Sequence, residues 1–109
     1  MRRDEMGNIK RGRQDQIGLI VRALAAVKDA DTCARLLEDL CTINEIDAMA
    51  QRLEVAMLLH RRVTYQEIAQ RTGASTATIS RVNRSLLYGA KGYQRVLDAL
   101  NDQDESKGE

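Results

Sequence analysis

Apolar residues recur at intervals of three and four along this chain, and no proline interrupts them. Ile17, Ile20, Val21, Leu24 and Val27 form one such series; Cys33, Leu36, Leu37 and Leu40 form a second; Ile46, Met49, Ala50, Leu53, Ala56 and Met57 form a third. That spacing puts each set on one side of an α-helix, whereas a half-buried strand would alternate apolar and polar residues. Between them stand alanine, leucine, arginine, glutamine and glutamate, the better helix formers. Phenylalanine and tryptophan are absent and Tyr65, Tyr88 and Tyr93 are the only aromatic residues, the reverse of what a strand-rich chain uses. The expectation is an all-α protein of about six helices.

Cap and break signals divide the chain. A first helix is expected from about Gln14 to Lys28, with Asp29 or Asp31 able to cap a second from about Thr32 to Leu40. Thr42-Ile43-Asn44-Glu45 is a capping-box pattern that opens a long third helix, ending near Leu59 or His60. A second such pattern, Thr64-Tyr65-Gln66-Glu67, opens a short fourth helix that stops before Gly73. Ser75 or Thr76 caps a fifth, to about Leu87, and after Gly89 a last helix runs from Gly92 to Leu100. At 109 residues one compact unit is expected: a flexible basic arm over 1–13, with Arg2, Arg3, Lys10, Arg11 and Arg13, a helical domain over 14–100 and an acidic tail over 101–109.

The net charge of +1 looks unfavourable to a nucleic-acid binder, but it is a cancellation of blocks. Residues 1–28 (seven basic, three acidic) and 55–97 (seven basic, one acidic) are basic, whereas 29–54 (two basic, seven acidic) and 98–109 (one basic, five acidic) are acidic. Catalytic signals are missing. His60 stands alone beside Arg61 and Arg62, and Cys33 and Cys41 lack the spacing of zinc ligands or a disulfide framework. Glu38-Asp39 and Glu45-Asp47 have no accompanying nucleophile, phosphate loop or metal set and read as caps and solvated faces. Met49 and Met57 read as core or interface. No apolar run reaches the ~20 residues needed to span a bilayer, and no apolar signal core opens the chain. The expectation is a reduced, cytoplasmic protein that is not an enzyme, with no metal and no membrane association.

The informative stretch runs from Thr64 to Val82. A helix-turn-helix needs a small residue where its helices cross, a residue tolerant of positive φ in the turn, and apolar residues on the second helix facing the first. Ala69, Gly73, and Ile79 with Val82 stand at those positions, and Ile68 supplies the contact from the first helix. The second helix then has Ser75, Thr76, Ala77, Thr78 and Ser80 near its N-terminal end, small groups suited to base edges and thymine methyls. Gln66, Arg71, Arg81, Arg84 and Lys91 are candidate contacts to flanking phosphates.

From about Leu36 to Leu87 the chain resembles the Trp repressor superfamily, and within it the YerC/YecD-type branch. The resemblance rests on Leu40-Cys41-Thr42 leading into the long helix, Arg52 within it, and Gly73-Ala74-Ser75-Thr76-Ala77-Thr78-Ile79-Ser80-Arg81. It implies an intertwined, all-helical homodimer that represses transcription by placing paired helix-turn-helix units on an operator. It also implies a corepressor site at Thr42, Arg52, Arg81 and Ser85, with the indole of tryptophan held between the two arginines in the Trp repressor. Where the Trp repressor has glycine after the second arginine, this chain has Val82, whose branched side chain would take space the indole needs.

The expected function is therefore that of a homodimeric regulator, in all probability terms a repressor, that binds double-stranded DNA and needs no cofactor. The alternatives are a regulator with a small corepressor between Arg52 and Arg81, and a helical protein-interaction adaptor that does not touch DNA.

Overall fold

A computed structural model describes the backbone of residues 3–108 and the side chains of residues 12–103. Among the described residues there are six α-helices and no strand: α1 (Arg3–Ala26), α2 (Ala30–Leu40), α3 (Ile43–His60), α4 (Tyr65–Thr72), α5 (Thr76–Tyr88) and α6 (Gly92–Gly108). The protein is all-α, as the periodicity implies. It divides into two compact units, Met1–Thr42 and Ile43–Glu109, where the length suggested one.

The first unit holds α1 and α2. Helical backbone begins at Arg3, so residues 3–13, expected as an irregular arm, extend α1. Gly7 and Gly12 each weaken a helix by about 1 kcal/mol, but the arginines, lysine and methionine around them favour it. Arg2 and the side chains of Arg3, Lys10 and Arg11 lie outside the described residues, while Arg13 is exposed. Asp29 caps α2 by accepting a 2.8 Å hydrogen bond from the Thr32 N–H, and this starts the helix at Ala30 rather than Thr32. Asp31 pairs with Arg35 one turn on at 2.9 Å, in solvent, where such a pair contributes a few tenths of a kcal/mol. No described residue of this unit is buried; Ile17, Ile20 and Leu24 on α1 are 46%, 46% and 50% exposed.

The second unit carries the core. α3 packs against α4, α5 and α6, and α5 against α4 and α6. Val55, Ala56 and Leu58 of α3 meet Ile68 of α4, Ala74 of the turn, Ile79, Val82 and Leu86 of α5, and Leu97 of α6. Burying side chains such as Val55, Ile68, Ile79 and Val82 stabilises by roughly 1.5–3 kcal/mol each. α6 docks through Leu97, through Gln94, whose Nε2 donates to the Leu86 carbonyl at 3.1 Å, and through His60 Nε2, 3.3 Å from Asp98 Oδ1. Its helical backbone continues through the acidic segment to Gly108, past the expected end at Leu100.

α3 ends in a tight reversal. The N–H of Val63 donates to the Leu58 carbonyl and that of Arg62 to the Leu59 carbonyl, both at 3.0 Å, with Arg62 in the left-handed region at φ 63. This is the double hydrogen bond of a Schellman motif, and its customary apolar contact is supplied by Leu58, in the core, and Val63, packed against it.

Candidate nucleic-acid interface

The α4–α5 pair is built by hydrogen bonds that begin one residue before α4. Thr64 caps α4, its Oγ1 accepting from the Glu67 N–H at 3.3 Å, and the Glu67 carboxylate pairs with Arg71 at 3.2 Å. Gly73 closes the helix at φ 73, with its N–H on the Ala69 carbonyl. The Thr72 hydroxyl then donates to the Ile68 carbonyl at 2.7 Å and accepts from the Ala74 N–H at 3.1 Å, bridging the helix to the turn. From α3, Gln51 Nε2 donates to the Thr72 carbonyl at 3.2 Å, which fixes the turn to the long helix. Ala74 is buried and Ser75 caps α5, accepting from the Thr78 N–H at 3.1 Å and donating its own hydroxyl to Thr78 Oγ1 at 3.0 Å.

The two sides of α5 are chemically distinct. Ile79, Val82 and Leu86 are buried, whereas Thr76, Ala77, Ser80, Arg81 and Arg84 are exposed, as are Gln66 and Arg71 on α4. Two of the small residues expected to face the groove have other partners: Ser75 is the cap, and Thr78 is half-buried with its hydroxyl accepting from Ser75. Ile68 is in the core and Ala69 packs against it, so the residues chosen for the helix crossing sit where that role requires. Gln51 and Thr72 were not identified from sequence. Their partnership spans 21 positions, and neither departs from local helical pattern in a way that marks it.

The four residues assigned to a small-ligand site are not gathered at one cavity. Thr42 closes the first unit, while half-buried Arg52 and exposed Arg81 and Ser85 belong to the second. A cavity of about 570 Å³ in the second unit is lined by Leu53, Ser85, the 89–92 link, Tyr93 and Val96. Ser85 borders it, but Arg52 and Arg81 are not among its lining residues. Val82 is 2% exposed and lies within the core. No three His, Cys, Asp or Glu side chains among the described residues are grouped to hold a metal ion.

These features define an all-α protein in which a short and a longer helix, joined at a left-handed glycine, present a polar and basic face. Residues 15–101 match the family described as Trp repressor protein, and the chain belongs to that family. It is 46% identical over 92 residues to the protein YerC of Bacillus subtilis (strain 168), covering 84% of this chain and 88% of that one. Two solved structures resemble it. A TrpR-like protein from Eubacterium eligens ATCC 27750 is 50% identical, with a TM-score of 0.75, over 80% of this chain and 90% of its own. A putative Trp repressor from Staphylococcus aureus is 41% identical, with a TM-score of 0.76, over 85% and 93%. The family is one of regulators and points to DNA binding. No helix among the described residues is long and apolar enough to cross a membrane.

Proposed function

We propose that this protein is a cytoplasmic, sequence-specific transcriptional repressor in which α4 and α5 form a helix-turn-helix and two copies of the chain occupy one operator. The observation that carries this reading is the two-sidedness of α5. Its buried side holds it on α3 and α4, and its other side leaves Thr76, Ala77 and Ser80 available to base edges with Arg81 and Arg84 beside them. Gln66 and Arg71 on α4 supply flanking phosphate contacts. The exposed pair between Arg71 and Glu67 is weak enough to exchange for a phosphate.

Duplex binding measured against salt tests the proposal. Each phosphate contact contributes about 0.9 to the slope of log affinity against log salt. Arg81→Ala with Arg84→Ala should therefore lower that slope by about 1.8 while the protein stays folded. Absence of any mobility shift on genomic fragments at low salt, together with no effect of the double substitution, would leave the adaptor reading in its place.

The repressor proposed here does not use tryptophan as its effector. Val82 has its side chain in the core, where Ile79 and Leu86 also lie, at the position where the Trp repressor carries glycine. Titration with tryptophan should be flat, and operator affinity should not change when it is added. Reciprocal tightening of the two ligands would overturn this.

A further inference from the structure

Arg62 takes up a conformation that a side chain opposes, and nothing in the fold uses the side chain. Its φ of 63 lies in the left-handed region, where glycine is the usual residue at the end of a Schellman motif. Both hydrogen bonds of the motif are made by backbone, and the apolar contact that accompanies it comes from Leu58 and Val63. Glycine at position 62 would keep all of these. The Arg62 side chain is exposed and has no hydrogen bond or ion pair among the described residues.

The surroundings exclude a simple electrostatic role within the fold. Glu67 is the one carboxylate in the basic block 55–97, and it is paired with Arg71. Asp98, just beyond that block, is paired with His60. The second non-glycine residue with positive φ among the described residues is Lys91, also basic and exposed. Arg62 stands in the link before α4 and Lys91 in the link after α5, so two conformationally disfavoured cations bracket the helix pair in sequence. Backbone strain retained at a surface position points to a use for the side chain.

We propose that Arg62 contacts the phosphate backbone of duplex DNA, extending the interface from the helix pair to the α3–α4 link. This inference rests on the DNA-binding reading given above. In a helix-turn-helix the first helix crosses the phosphate backbone. Arg62 is four residues before Gln66, at the entry to that helix, and its planar, permanently charged guanidinium suits a phosphate. The contact carries no sequence information; it sets affinity and register.

Arg62→Gly is the informative substitution, because it removes the cation and relieves the backbone together. Its thermal midpoint should equal or exceed that of the unaltered protein. Duplex affinity should fall, and the salt slope should lose about 0.9, so that its disadvantage shrinks roughly 3–4-fold between 50 and 200 mM salt. Arg62→Lys should keep the slope. Wild-type affinity and slope in Arg62→Gly would overturn the proposal, as would weakened binding accompanied by a lower thermal midpoint. If the unaltered protein shows no salt-dependent duplex binding, the functional reading itself fails, and this inference with it.

Discussion

Gly73 and Gly89 end neighbouring helices for different physical reasons, and substitution separates them. Gly73 sits at φ 73 with nothing within 4 Å of where a Cβ would be, so Gly73→Ala meets only the dihedral penalty, about 1–2 kcal/mol. At Gly89 φ is ordinary, but an added Cβ would lie 2.4 Å from the Ser85 carbonyl oxygen, the same oxygen that accepts the 2.8 Å hydrogen bond from the Gly89 N–H. Relief requires moving the backbone at the end of α5. Gly89→Ala should therefore be the more destabilising change, by ~2–3 kcal/mol in urea denaturation; a cost equal to or below that of Gly73→Ala would refute the close approach. The need for glycine at position 73 was legible in sequence, because a turn between two helical patterns calls for positive φ. The need at position 89 was seen only as a break, since the clash depends on how the last turn of α5 closes.

At the scale of the helix, caps decide where each element starts, and Asp29 makes its cap depend on pH. The Thr32 backbone N–H, and then the Thr32 side chain, hold the Asp29 carboxyl below its ordinary value of 3.8. The native value lies below the unfolded one, so the contribution to α2 is complete above the ordinary value and is lost as pH falls through the lowered native value. Asp29→Asn, which retains a capping oxygen without a titrating group, should flatten the acid limb of α2 helicity measured by residue-resolved NMR. An unchanged acid limb would place the titration elsewhere. The sequence narrowed the cap to Asp29 or Asp31, and the structure divides their roles, with Asp31 turned to Arg35. Helix ends at the two termini were less legible. Residues 3–13 and 101–108 lack an apolar stripe, so periodicity could not extend α1 or α6 into them, although most of their residues tolerate helix well.

For the whole molecule, the contrast lies between a second unit with a core and a first unit without a buried described residue. Helices this short seldom persist in water with a bare apolar stripe, and a second copy of the chain is the proposed cover. Light scattering should give twice the mass of one chain. Ile20→Glu with Leu24→Glu should halve it while leaving the melting of Ile43–Glu109 in place, because substitutions at exposed sites with no other role change stability by about 0.5 kcal/mol or less. A mass unaffected by both glutamates would remove α1 from the interface. The buried positions of the second unit were largely readable from spacing: Ile68, Ile79 and Val82 all lie in the core. What spacing could not supply was the Gln51 contact to Thr72, or the fact that only Ser85 of the four proposed ligand residues borders the cavity.

Tyr93, half-buried in the wall of that cavity, also makes the protein a convenient optical instrument. The chain has no tryptophan, so its intrinsic emission comes from three tyrosines and is dark under excitation that tyrosine does not absorb. An indole added to the solution is then the sole emitter at that excitation, and its anisotropy reports directly whether it is held. Under shorter-wavelength excitation, energy transfer from Tyr93 to a bound indole would show whether the cavity is where it resides. The two signals distinguish an indole in the cavity, an indole elsewhere on the protein and an indole free in solution, with no label attached.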